Sequence, residues 1–369
     1  MNTVDACLAL PSGELQLPAF LPDATLGVVR SLDSTDLERV GVQGLVMNTF
    51  HLMQKPGSST IQALGGLHAM AGWTRPIVTD SGGFQAYSLV RENPKNGQIT
   101  DKGIVIRSEN KRKFQLTPAK TVQLQMGYGS DIVVCLDDCT SPEAPHAVQL
   151  ESVERTVKWA REGKREFDSL LDRRGTSPDE RPLLLAVIQG GTSQELRRRC
   201  ALELLEIGFD GYGYGGWPLD AEGHLLLDVI AFTRELIPSS LPFHALGVGH
   251  PENIVQCTKA GCNLFDSALP TRDARHGRLY RFADELVDPT SPRFMGRWFD
   301  TLYIADDKFI KDDRPLAPYC DCLCCARYSR GYLHHLFKLG DTLFFRLATL
   351  HNLRFMTMLT AALRSAGGG

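Results

Sequence analysis

The sequence predicts an α/β fold: a closed (β/α)8 (TIM) barrel with a metal-binding segment inserted near the C-terminus. Three observations lead there. Short apolar runs alternate with helical stretches along most of the chain. A polar residue or glycine directly follows most of those runs. From about Asp288 the alternation breaks, and a cysteine-rich segment follows.

The candidate strands are 44–47, 76–79, 131–136, 183–188, 208–214, 243–247 and 262–265. Thr35 with Glu38 and Thr192 with Glu195 read as capping boxes at helix starts. Thr117-Pro118 and His250-Pro251 place proline at the first helical position. Strands and helices alternating at this spacing argue for a parallel sheet covered by helices. Asn48, Asp80, Asp137, Gln189, Gly215-Gly216 and Asp266 each follow a strand. In a closed barrel such groups converge on one mouth, whereas an open doubly wound sheet spreads them along an edge. No G-x-G-x-x-G follows an early strand, which counts against the open sheet. Residues 98–113 read as a loop or small hairpin and 172–182 as a charged loop. The run Arg197-Arg198-Arg199 reads as a solvated helix face. Residues 1–369 then form a single catalytic barrel domain, with about 288–350 as a subdomain inserted before the last barrel helix.

Composition narrows the function. Of 369 residues, 43% are hydrophobic and 22% charged, so a large core is available and disorder is disfavoured. The net charge of -3 provides no global basic field, so any nucleic-acid contact has to come from local patches. The first eleven residues lack a basic segment followed by a long apolar one, and no apolar run nears the ~20 residues of a membrane span. A cytoplasmic protein with no membrane partner is expected.

Ten cysteines are scattered except at Cys320, Cys322, Cys324 and Cys325. Cys320-x-Cys322-x-x-Cys325 can fold three thiolates around one tetrahedral ion, with a fourth ligand from His334, His335 or His351. The plainer reading is a set of buried free thiols. Yet adjacent Cys324 and Cys325 cannot both face one core. Four ligands with no open position describe a structural rather than a catalytic metal ion.

Asp80 lies in Thr-Asp-Ser-Gly-Gly-Phe-Gln at 79–85, and Asp266 in Phe-Asp-Ser-Ala-Leu-Pro-Thr-Arg at 265–272. Two strand-end carboxylates suit glycosidic chemistry, one attacking the anomeric carbon and one moving protons. Either could instead cap the helix that follows. Thr271, Arg272 and Arg275, with His276, Arg278 and Arg281, come straight after Asp266. Beside a ribose-phosphate target they read as backbone contacts; as an isolated run they would be a solvated loop.

These stretches, with Asp-Asp-Cys at 137–139, Gln-Gly-Gly at 189–191, Gly-Val-Gly-His-Pro at 247–251 and the cysteine knuckle, occur in the order seen in the queuine/tRNA-guanine transglycosylase family. The resemblance runs from Asn48-Thr49-Phe50-His51-Leu52 to Leu350-His351-Asn352-Leu353. It implies exchange of the wobble guanine in tRNA with a GUN anticodon for a 7-deazaguanine base, through a covalent aspartyl-ribose intermediate. It implies Asp266 as nucleophile and Asp80 as general acid/base, with Asn48 near the nucleophile. Asp137 would pair with the base's N1 and amine, and Gln189 and the Gly216 backbone would read its carbonyl edge. Phe84 and Leu246 would cover its two faces. Among the histidines it selects His351 to complete the zinc site with Cys320, Cys322 and Cys325, leaving Cys324 a bystander. It also implies a homodimer.

The chain departs from the family at Trp217-Pro218-Leu219-Asp220. Leu219 falls where queuine-using members tend to have Gly, which favours a small incoming base such as the aminomethyl form. Phe84 resembles the queuine users instead. Asp220 or Glu222 could meet an aminomethyl cation. Two competing readings are a non-catalytic zinc-binding accessory subunit, disfavoured by the presence of both Asp80 and Asp266, and a relative acting on DNA.

Overall fold

The apolar runs become eight parallel strands: β1 (Ala19–Pro22), β2 (Leu45–Asn48), β3 (Ile77–Asp80), β4 (Ile132–Val134), β5 (Leu183–Ile188), β6 (Gly211–Tyr214), β7 (Phe243–Ala245) and β8 (Leu264–Ser267). The computed structural model describes residues 7–107, 113–283, 294 and 296–367. Hydrogen bonding runs in the order β1-β8-β7-β6-β5-β4-β3-β2. The ring closes where Asp23 bridges Val46 in parallel, with the Ala24 N–H donating to the Val46 carbonyl at 2.7 Å. The predicted barrel is therefore present, and β1 is the strand that sequence reading missed.

Alternation along each strand divides the core in two, because successive side chains point to opposite faces. Leu185 and Val187 of β5 pack inside the barrel, while Leu184, Ala186 and Ile188 pack outward under the helices. Val46, Val78, Ile132, Val134 and Leu264 join the inner set, and Leu45, Ile77, Val133 and Phe265 the outer one. Burying each such side chain is worth about 1.5–3 kcal/mol. The same period fixes the site: two residues beyond Val46, Val78 and Leu264, the inward positions are Asn48, Asp80 and Asp266.

An N-terminal hairpin, Cys7–Leu10 paired with Gly13–Gln16, plugs the opposite end and adds Leu10 and Leu15 to the inner core. Its turn is pinned by the Ser12 N–H donating to Asp131 at 2.8 Å. Ser12, His68 and Asp131 look like a hydrolytic triad but are not one. The serine and the carboxylate share one ring nitrogen, Nε2, at 3.2 and 3.1 Å, while Nδ1 meets the Trp73 carbonyl.

Several local expectations change. The first helix, Ser34–Arg39, is capped by Asp33, and the helix Gln194–Ile207 by Ser193, rather than by Thr35 and Thr192. Thr117 and His250 do stand at the N-caps of helices that open on proline, and Thr117 accepts there from the Lys120 N–H. The hairpin predicted within 98–113 is part of a three-stranded antiparallel sheet, Gly97–Thr100, Gly103–Arg107 and Lys113–Leu116. Its stretch 108–112 lies outside the described residues. Part of the predicted 172–182 loop is helical, since one helix continues to Arg174 before Gly175 ends it.

After β8 come the helix Leu269–Arg275 and an antiparallel hairpin, Arg278–Phe282 with Phe299–Tyr303. Helices Leu323–Arg327 and Arg330–Leu339 follow, and the long helix Thr342–Gly367 returns to pack on Leu269–Arg275 and β1. Asn352 on that last helix is fully buried. It accepts from the Tyr280 N–H and donates to the Pro270 and Arg278 carbonyls, tying the return helix to the helix and strand that follow β8.

Candidate active site

At the C-terminal mouth of the barrel lies a cavity of about 450 Å³. Val46, Val78, Val134 and Val187 line it, with Asp80, Asp137 and Asp266 among its walls. Phe84, Gly216 and Leu246 line it too, so most of the residues singled out in the sequence meet here. Asn48 and Gln189 are buried just behind. The Asn48 amide donates to Asp80 at 2.9 Å, and the Gln189 amide donates to Asp137 at 2.7 Å.

Glycines make the close approaches. Gly82 sits at φ +81°, and a Cβ there would lie 2.4 Å from that of Phe50. Any side chain would displace the turn carrying Asp80. A Cβ on Gly215 would lie 2.5 Å from the Gln189 amide, so only glycine leaves that amide in place.

The carboxyl groups are electrostatically distinct. Burial pushes Asp80 up to about 6, and the neighbouring Asp266 charge adds to the effect. Burial pushes Asp137 up to about 7, opposed by the Gln189 hydrogen bond and reinforced by Asp80 and Asp138. Asp138 turns away, ion-paired with Arg155 and holding the Thr156 hydroxyl at its N–H, so only the first acid of the Asp-Asp pair faces the cavity. Asp266 accepts on Oδ1 from His244 Nε2 at 2.9 Å and from the Gly247 N–H at 3.0 Å.

Three residues escaped the sequence reading. Asp23, just after β1, lines the cavity and accepts from the Thr25 hydroxyl; burial raises its pKa. His244 is the inward residue of β7, between Phe243 and Ala245, which face outward. Arg197 overturns the solvent-face expectation for the arginine run, since it is only 1% exposed. It donates to the carbonyls of Ile188, Gly191 and Gly215 at 2.8, 2.9 and 2.9 Å, and its guanidinium lies 4.1 Å from the Tyr214 ring centroid. With the Gly215 carbonyl held toward Arg197, the next N–H, that of Gly216, points away from Arg197, because the peptide is planar and trans. Arg198 and Arg199 remain exposed.

Of the basic stretch, Thr271 is buried and donates to the Ala268 carbonyl. Arg272 is exposed, Arg275 is half-buried, and Arg281 is paired with Asp300 at 2.9 Å. Arg272, His276 and Arg278 line a hollow beyond the helix that follows Asp266. Trp217 packs edge-on against Phe84, with centroids 5.1 Å apart. Trp217 and Leu219 form a wall shared with a second hollow of about 700 Å³, which Asp220 also lines, while Glu222 is exposed.

Away from the cavity, Cys320, Cys322, Cys325 and His351 bring four ligand atoms within 4.8 Å of one another, all buried. The sulfurs lie 3.8, 3.8 and 3.3 Å from His351 Nδ1. Its Nε2 sits 2.6 Å from the Tyr280 carbonyl, which fixes the proton there and leaves the Nδ1 lone pair facing the thiols. Hydrogen bonds from Cys320 and Cys325 hold the Cys322 thiol well below its ordinary range. This donor set can hold a metal ion. His334 instead meets the Ile304 carbonyl, His335 is exposed, and Cys324 is a fully buried bystander.

A family model described as queuine tRNA-ribosyltransferase matches residues 6–366. Three relatives carry the same name. That of Mannheimia succiniciproducens is 36% identical over 96% of this chain and 87% of its own length. That of Thermoanaerobacter pseudethanolicus is 35% identical over 97% and 88%. That of Halothermothrix orenii is 37% identical over 97% and 88%.

Proposed function

The chain belongs to the queuine tRNA-ribosyltransferase family, and from that membership together with the cavity we propose that it is a tRNA-guanine transglycosylase, a pentosyltransferase of queuosine tRNA modification. Its substrate is tRNA with a GUN anticodon, and the incoming base is a 7-deazaguanine. One observation carries the reading. Two carboxylates, Asp80 and Asp266, face inward at the ends of β3 and β8 in a cavity that also presents Phe84, Leu246 and a donor-acceptor edge. Asp266 attacks C1′ and Asp80 moves protons on the departing and arriving bases. The flat base lies between Phe84 and Leu246. Asp137 meets its N1 and amine, and Gln189 and the Gly216 N–H meet its carbonyl. Asn48 holds Asp80. Arg272 and Arg275, on the helix whose start Thr271 braces, contact the RNA backbone.

Labelled guanine incubated with unmodified GUN-anticodon tRNA and the protein tests this reading. Label entering the tRNA is expected; label entering only DNA would move the chemistry to another polymer. The incoming base is proposed to be small. Leu219 walls the cavity from the second hollow, so kcat/KM for the aminomethyl base should exceed that for queuine, and Leu219→Gly should raise queuine use selectively. A preference for queuine by the unaltered enzyme refutes the steric argument.

The buried ligand set is proposed to hold one structural Zn2+, in a subdomain of about residues 288–350 closed by His351. Zinc there would cross-link the knuckle to the return helix and has no part in the chemistry. Elemental analysis should find about one zinc per chain. Cys322→Ser should lose it and Cys324→Ser should keep it; equal retention in both would remove the assignment.

A homodimer is proposed through the outer face of the helix Arg330–Leu339. Tyr332, His335 and Leu339 are exposed there, and Tyr328 stacks on Tyr332 at 5.3 Å. A cytoplasmic location suits tRNA as substrate. Among the described residues no helix is long and apolar enough to cross a membrane.

A further inference from the structure

His244 has a place in this reaction that its surroundings make specific. It is 1% exposed on the inward face of β7. Its Nε2 lies 2.9 Å from Asp266 Oδ1, while Nδ1 is buried with no hydrogen-bond partner among the described residues. A carboxylate only accepts, so Nε2 carries the proton. An apolar side chain would fill this inward position without orphaning a buried nitrogen, so packing does not account for the histidine. Among the described residues its one hydrogen-bond partner is the carboxylate proposed to attack the ribose.

We propose that His244 is a positioning residue that selects the attacking oxygen of Asp266 and keeps the covalent intermediate short-lived, an inference that rests on Asp266 being the nucleophile. His244 and the Gly247 N–H both converge on Oδ1, which leaves Oδ2 for attack. As the C1′–N9 bond breaks, its electron pair leaves with the base, and Oδ2 supplies the pair of the new C1′–O bond. Oδ1 then becomes an ester carbonyl and loses most of its charge. In the return step the incoming base gives its N9 proton to the Asp80 carboxylate, its N9 pair forms the new bond to C1′, and the C1′–Oδ2 pair goes back to Asp266. Hydrogen bonds to a charged acceptor are stronger than those to a neutral one. The two donors therefore favour free carboxylate over ester and help the incoming base to expel it.

The test is the ratio of adduct to free enzyme at saturating tRNA and guanine, read on denaturing gels beside kcat and KM. His244→Leu should raise that ratio about tenfold while kcat falls and KM for tRNA changes little. A purely structural lesion would lower adduct and turnover together. His244→Gln places an amide N–H near the position of Nε2 and should restore both values. His244→Asn is too short to reach Oδ1 and should behave like the leucine variant. An unchanged ratio in His244→Leu, or a glutamine variant resembling leucine, overturns the assignment of His244. Adduct persisting in Asp266→Asn, run alongside, would instead overturn the assignment of the nucleophile.

Discussion

Asp266→Asn is expected to abolish the denaturation-resistant protein–tRNA adduct and to lower base exchange by roughly 10⁴-fold or more, as loss of a covalent nucleophile does. The substitution is nearly isosteric. The amide oxygen can still accept from His244 and from the Gly247 N–H, so the fold of the β8 end should hold. What the amide lacks is an anionic oxygen for C1′. Binding of tRNA should stay within a few-fold, because the cavity walls, Arg272 and Arg275 are untouched. Gel-shift affinity, adduct on a denaturing gel and labelled-guanine incorporation separate the three quantities. Adduct at the level of the unaltered protein would require a different nucleophile, and Asp23, Asp80 and Asp137, in the same cavity, would be the candidates.

Asp80 and Asp266 were legible because each extends the alternation of an apolar strand by one polar step on the inward face, beyond Val78 and Leu264. The converging polar strand ends gave the mouth of the barrel for the same reason. β1 was not legible: Ala19–Pro22 is four residues that follow Pro18 and end on Pro22, two prolines that remove donors a strand normally uses. Asp23 was lost with it. His244 sits inside an apolar run, where only the barrel's closure reveals that its face lines the cavity. Arg197 was hidden by its neighbours. Three consecutive arginines look like one charged face, but a helix turns about 100° per residue and groups Arg197 with buried Leu196, Cys200, Ala201 and Leu204. The wrongly assigned caps, Thr35 and Thr192, lie within two residues of the true ones, where hydroxyl and carboxylate side chains compete for the same backbone N–H groups.

The second large effect is expected at Asp80. Asp80→Asn should lower kcat by about 10²–10⁴-fold, the range for losing a general acid/base, with tRNA affinity nearly intact. The electrostatics explain why this acid suits both halves of an exchange. Burial is the main cause of its raised pKa of about 6, and the Asp266 charge is the next. When Asp266 becomes a neutral ester, that second cause disappears and Asp80 becomes the stronger acid, just as the departing base needs a proton. When the ester reopens, the charge returns and Asp80 again holds a proton more tightly, which favours taking one from the incoming base. The rate should therefore respond to pH near 6–7, with apparent values that belong to the Asp80 and Asp137 pair together. That response should shift in the asparagine variant. Stability should move the other way. A carboxyl whose pKa is raised by folding contributes its stability below its unfolded value, near 4, and loses it as pH rises through about 6. At pH 8 the unaltered protein carries the cost of a desolvated Asp80 anion and the asparagine variant does not. The variant should then be more stable by on the order of 2 kcal/mol, less than the full shift implies because the carboxyl faces an open cavity. The difference should vanish toward pH 4. Thermal unfolding of both proteins across this range measures it. A variant that keeps full kcat would show that Asp80 is not the proton carrier, and a stability difference that is the same at pH 4 and pH 8 would show that its anion is not destabilised by burial.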